Sequence, residues 1–302
     1  MSRRCVSFDE DGHIYEFSPE MDPVYTAADG ESLTIETIDS LSKTIQTGDD
    51  LLDSIPDEVN AATGPIEVEG AEPGDILAVE IEAVRVTEGQ GRVVTTPDFG
   101  LLQDDEEIEH PATRITEVDG DTIEFDGHEI PIEPMIGTIG VATAEETITT
   151  LTPHDHGGNL DTTDMTGGTT AYFPVFQDGA MLAMGDSKAA MADGEMCGTG
   201  AEIGTEIDVT VSVISDPGVG LDRPIVDTGE NIKSIASADT MEEAVKLANR
   251  DILDLLQADH DMSKTEAYLF SSLVGGLEIS QVVDPLVTVR NSIPAEHLSH
   301  PF

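Results

Sequence analysis

Residues 76–86 read ILAVEIEAVRV, and the way charged residues interrupt the apolar ones decides the fold class. Glu80, Glu82 and Arg85 separate aliphatic residues in a near-alternating pattern. A period of two sends one set of side chains to a core and the other to water, as in a half-buried strand. Ser32–Thr37 (SLTIET) alternates in the same way. Glu206–Ser215 (EIDVTVSVIS) is the clearest case, with Ile207, Val209, Val211 and Val213 on one face. Thr63–Gly74 (TGPIEVEGAEPG) is dense in Gly and Pro and marks turns. Thr122–Phe125 and His128–Ile132 flank Asp126-Gly127, a type I′ hairpin signal. Ile136–Ala142 and Thr169–Phe176 continue the strand pattern.

Helical spacing appears only late. Thr240-Met241-Glu242-Glu243 is a capping-box sequence, followed at helical spacing by Ala244, Leu247, Ala248, Ile252 and Leu255. A second box, Ser263-Lys264-Thr265-Glu266, opens a helix through about Val274. Strands first and helices afterwards predict a mostly β or α+β protein rather than a βαβ repeat. The expected architecture is a β-sandwich or barrel-like strand-rich body with two late helices. The chain reads as one unit over 1–302, with a possible division into a strand-rich part, 1–145, and a site-bearing α+β part, 146–302.

Charge dominates the composition: 62 Asp+Glu stand against 13 Lys+Arg, for a net charge of −49 over 302 residues. Nucleic acid and anionic membrane surfaces are polyanions, and this chain repels both. The acids are interleaved with apolar positions, so a core is expected, and the surface reads as adapted to molar salt that screens self-repulsion. Two cysteines, Cys5 and Cys197, are too few for a disulfide framework and fit a reducing compartment. MSRRCVSFDEDGH lacks the apolar core of a signal peptide, and no apolar run reaches bilayer length. A cytoplasmic protein is expected.

Three clusters compete for chemistry. PHDHGGNLDTTD (153–164) pairs His154 and His156 with carboxylates, either as a metal or catalytic loop or as a polar turn. GDSKAAMADGE (185–195) holds Asp186, Asp193 and Glu195 with Lys188, in a chain with only five lysines. That lysine is either solvated or a buried Schiff-base or general-base residue; Asp193-Gly194 is equally a turn, and Asp186 a helix cap. Cys197 could be a nucleophile with His156 as base, but neighbouring acids disfavour its thiolate, so a buried, inert thiol is expected. Neither a GxSxG elbow nor a phosphate-binding Gly loop is present.

Taken in order, TGPIEVEGAEPGDILAVEI (63–81), PIEPMIGTIGVA (131–142), PHDHGGNLDTTD, TAYFPVFQDGAMLAMGDSKAAMADGEMCGTGAE (170–202) and EAYLFSSLVGGLEISQVVD (266–284) resemble the acetamidase/formamidase family. The likeness runs from about Asp39 to Asp284. It implies a β-rich, oligomerising hydrolase that converts a small aliphatic amide to carboxylate and ammonia, often with a metal. Carried onto this chain, it implies a divalent cation, zinc by preference, on His156, Asp161 and Asp186, with His154 and Asp39 as weaker ligands. Glu195 would shuttle the proton, with Lys188, Asn159 and Asp193 beside it, and Gly157 and Gly158 would bring backbone N–H groups to the substrate oxygen. A homo-oligomer, dimer or larger, is expected.

The chain departs from the family pattern at three places. Lys188 stands where the family commonly has His, and an ammonium cannot bind a metal. Met191-Ala192 replaces a common Gln-Gly, and His154 replaces a small residue. Two further readings follow: a hydrolase of another C–N bond, such as a lactam, and a binding or scaffold protein without activity.

Overall fold

In the computed structural model, which describes residues 3–298 and Phe302, ILAVEIEAVRV is the strand Ile76–Val86 inside a nine-stranded sheet. Its neighbours are Thr205–Ile214 and Thr169–Pro174, both antiparallel. The register with Thr205–Ile214 runs from Thr205↔Val86 to Ile214↔Ile76 and shifts between Asp208 and Val209, a bulge that leaves Glu82 unopposed. Leu77, Val79 and Ile81 are buried, whereas Glu80, Glu82 and Arg85 face water, as the spacing predicts. Ile207, Val209 and Val211 share one buried face, with Val213 packed against them.

A six-stranded sheet lies against the first. It runs Gly157–Asn159, Met135–Gly140, Leu182–Lys188, Ala62–Val68 and His13–Ile14, with Tyr25–Ala27 also paired to Ala62–Val68. Ile66, Val68, Ile136, Ile139, Leu182 and Met184 of this sheet join the nine-stranded sheet's aliphatic face in one cluster. Two sheets sharing one interior make a sandwich. Each fully buried Leu or Ile contributes about 1.5–3 kcal/mol to holding them together. Every residue of Met135–Gly140 and of Leu182–Lys188 is buried, so these two strands have no solvent face.

The division at residue 145 does not match separate units. Thr205–Ile214 lies between Ser32–Glu36 and Ile76–Val86, so neither half can complete the large sheet without the other. A four-stranded sheet (Gln90–Thr95, Ala112–Asp119, Thr122–Phe125, His128–Pro131) packs on this body, its Ile123 and Val93 clustering with Ala189, Ala201 and Ile203. Its hairpin turns at Asp126 and Gly127 with φ of 48° and 83°, the double positive that a type I′ turn requires.

Helix α1, Met241–Asp259, starts at Thr240, whose side chain accepts from the Glu243 N–H. Helix α2, Lys264–Val274, has a complete capping box between Ser263 and Glu266. Ile252, Leu255 and Leu256 of α1 pack on Ile225, Ile232 and Ile293 of the large sheet. Neither helix is long and apolar enough to cross a membrane.

The acids stay outside this interior in most places: Asp104–Glu107 and Glu109 are exposed. Their mutual repulsion weakens as salt shortens its range. The urea midpoint of unfolding, read by circular dichroism, should therefore rise steeply between about 0.1 M and about 2 M KCl, over which the Debye length falls from about 10 Å to below about 3 Å.

Candidate functional site

The strand Leu182–Lys188 carries Asp186 and Lys188 two residues apart, and the chain closes a nest of carboxylates around the lysine. Lys188 Nζ lies 2.7 Å from Asp186 Oδ2, 3.3 Å from Glu195 Oε1 and 3.8 Å from Glu202 Oε1. It also donates to Asp161 Oδ1. All five side chains are buried. Burial alone would pull the Lys188 ammonium down, but Asp161, Asp186, Glu195 and Glu202 outweigh it and hold the group well above its ordinary value. Lys188 is thus a fixed cation, not the free amine that Schiff-base or general-base chemistry needs.

One ammonium faces a surplus of acids. Burial raises the carboxyls of Asp186, Glu195 and Asp284 well above the ordinary range, with Lys188 opposing and neighbouring carboxylates adding to the rise. Burial likewise pushes Glu202 up to about 7, against the pull of Lys188. Glu202 accepts from Ser40 Oγ and the Gly200 N–H, both at 2.8 Å. Asn159 donates to Asp284 Oδ2 at 2.9 Å while Thr138 donates to its own Oδ1 at 2.7 Å, so its amide is locked and orients Asp284.

The backbone is bent to make this arrangement. Asp161, Asp186 and Glu195 have φ of 41°, 53° and 44°, left-handed values that cost non-glycine residues about 1–3 kcal/mol each. Gly137 lies across from them, and a Cβ there would collide with Asp186 Oδ2, Lys188 Nζ and Asp161 Oδ1. The Glu195 loop is tied to the strand before Asp284 through Gly194 N–H to Ser280 O (2.8 Å) and Val282 N–H to Gly194 O (3.3 Å).

A cavity of about 30 Å³ opens beside the nest. Asn159, Lys188, Glu195 and Asp284 form its polar side, and Leu52, Val94 and Phe99 are among its apolar residues. A water needs roughly 10–15 Å³ by the same measure, so only a very small group fits.

Several expected ligands and binding groups lie elsewhere. His156 is buried against Phe17, ring centroids 4.8 Å apart, with no hydrogen-bond partner on either nitrogen. Burial pulls its imidazole down to about 3. It does not join Asp161 and Asp186: the group of metal-binding type among the described residues is Asp161, Glu195 and Asp284, with one oxygen each within 4.8 Å of the others. His154 is exposed, 6.4 Å from His156 by ring centroids, beside a different cavity. Asp39 is buried but engaged by the Leu41 and Lys43 N–H groups and by Arg92 at 3.7 Å. Asp193 points outward to Arg290 (2.5 Å) and Thr163 (2.8 Å). Gly157 and Gly158 pack on backbone instead of lining the cavity: a Cβ at either would strike Ile139 O or Thr152 O. Cys197 is half-buried at the cavity, not fully buried.

Glu202, Asp284 and Gly137 were not among the expected site residues. Asp161 Oδ2 is buried without a donor while carboxylate oxygens of Glu195 and Asp284 stand close, an arrangement that calls for a proton or a cation between them. An all-oxygen set of this kind fits a divalent cation, and fits the mixed nitrogen–oxygen set expected for zinc less well.

The family model described as "Acetamidase/Formamidase family" matches residues 3–149 and 141–297. A formamidase from Methylophilus methylotrophus is 26 % identical over 268 residues, covering 69 % of this chain and 66 % of its own length. The chain therefore spans about two-thirds of that relative. The crystal structure of a predicted acetamidase/formamidase from Thermoanaerobacter tengcongensis matches with a TM-score of 0.93 and 38 % identity over 99 % of both chains. An acetamidase structure from Bacillus halodurans gives 0.92 and 36 % over 98 % of both.

Two outcomes follow from the geometry. Lys188→Met leaves buried carboxylates without their cation and should cost about 3–5 kcal/mol in urea unfolding. Below pH 6.5 the unfolded chain protonates His156, while the native ring resists until about 3. Its contribution to stability therefore falls as pH drops through that window. Glu202, raised to about 7, acts in the opposite sense. His156→Phe should accordingly lose less stability than the wild type between pH 6.5 and pH 4, as compared by urea midpoints.

Proposed function

Because the chain belongs to the acetamidase/formamidase family, we propose that it hydrolyses a small aliphatic amide, of the formamide or acetamide type, to a carboxylate and ammonia. The observation that carries this reading is the buried carboxylate nest around Lys188, opening on a cavity of about 30 Å³. An amide is a weak electrophile, so its hydrolysis needs a polarised carbonyl, an activated water and a proton for the departing nitrogen.

The residues present supply each of these. Asp284, held toward its protonated form and oriented by Asn159, offers an O–H to the carbonyl oxygen. Glu195, kept ionised by the Lys188 ammonium 3.3 Å from its Oε1, takes the proton of the attacking water and returns it to the nitrogen. Ammonia departs with that proton, and the oxygen from water stays on the carboxylate. Lys188 positions Asp161, Asp186 and Glu195 and offsets part of their charge. A divalent cation, if bound, would be held by Asp161, Glu195 and Asp284, and the Lewis acidity and more acidic water that it supplies would take the place of the Asp284 O–H.

The reading includes a cytoplasmic setting, supported by the free Cys5 and Cys197. It also includes a homo-oligomer, supported by the exposed Tyr268, Leu269 and Leu273 of α2 beside Leu277 and Ile279 of the sheet's edge strand. The test is ammonia release from formamide and acetamide in molar KCl, on protein whose assembly is read by light scattering. Glu195→Gln should lower kcat/KM by about 100-fold or more while remaining folded. Folded wild-type protein that releases no ammonia from any short amide overturns the reading.

A further inference from the structure

The cavity at the nest is too small for more than an amide headgroup, yet a second cavity of about 530 Å³ adjoins it. Glu195, Cys197 and Thr199 line both. The larger one lies between the Glu195 loop and the four-stranded sheet, with Ile123, Phe125, Ile130 and Met191 in its walls. Its volume is that of a small-molecule pocket, and such pockets are mainly apolar. In a chain with a net charge of −49, only Glu133 and Glu195 bring charge to this lining.

We propose that this cavity receives the acyl substituent of the substrate, so that the preferred amide carries an apolar aliphatic or aryl tail of several carbons. The proposal rests on amide hydrolysis at the Lys188 nest and specifies the acyl side of that reaction. Formamide and acetamide are then truncated substrates: their headgroup reaches Glu195, but the apolar cavity stays unused. Ile130 and Phe125, on the two strands of the Asp126-Gly127 hairpin, set the tail's length and shape.

Two measurements on the whole chain in molar KCl test this. The first is kcat/KM for formamide, acetamide, butyramide, hexanamide and benzamide. It should rise about fourfold for each methylene that enters the cavity, and Ile130→Trp should abolish the rise. The second needs no turnover. In a Cys5→Ser chain Cys197 is the single remaining thiol, and neutral hexan-1-ol should slow its labelling by a disulfide reagent at least fivefold. Ile130→Trp should remove that protection.

Formamide hydrolysis with no gain for longer amides overturns the acyl pocket and leaves the hydrolase reading standing. If no amide is hydrolysed, the hydrolase reading falls and the acyl assignment falls with it; hexan-1-ol protection lost in Ile130→Trp would then mark an apolar ligand site of another kind. Absence of protection in the Cys5→Ser chain overturns the pocket in either case.

Discussion

The bond between Lys188 and its ring of carboxylates is the constraint around which the rest is arranged. An ion taken out of water is tolerated only when it is paired and hydrogen-bonded. The lysine ends a strand with no solvent face, so the acids have to come to it. They arrive from separate parts of the chain: Asp161 after Gly157–Asn159, Asp186 from the lysine's own strand, Glu195 and Glu202 from the following loop. The left-handed backbone at Asp161, Asp186 and Glu195 and the missing side chain at Gly137 are local concessions to this meeting.

That arrangement also separates the side chains that position others from those that face the cavity. Asn159 is turned wholly to Thr138 and Asp284, so it positions a carboxyl. Asp193 sits two residues before Glu195 yet turns outward to Arg290, which also bonds Asp164. Together with the Gly194–Ser280 bond, this ion pair fixes the loop to the strands that follow α2. The late helices therefore bear on the site through the edge of the large sheet, without contributing a side chain to the cavity.

Much of the fold was legible because its signals are local. Alternation in 76–86 and 206–215, the capping residues Thr240 and Ser263, and the Asp126-Gly127 turn each act within a few residues. Asp161, Asp186, Lys188 and Glu195 were legible for a similar reason, being packed into two short polar motifs. Asp284 and Glu202 were not, since only tertiary pairing brings them to Lys188 and nothing in their own neighbourhoods sets them apart. The setting of His156, among glycines and aspartates, is that of a loop ligand. Its ring instead fills space against Phe17, a fact of packing that spacing does not carry. Gly157 and Gly158 suggest open approaches to substrate in the sequence, whereas neighbouring backbone needs the room.

The surplus of acid around the lone lysine sorts molecules by charge. A neutral amide enters without an electrostatic barrier. Under the proposed hydrolysis, cleavage would turn it into a carboxylate inside this enclosure, and like charges at close range in a weakly screened interior repel strongly. The acid product would then be pushed out by the carboxylates that stay ionised beside Lys188, while ammonium would be drawn toward them. Turnover in such a site would be rectified: the organic product would have little tendency to return, and the nitrogen product would be the one that lingers.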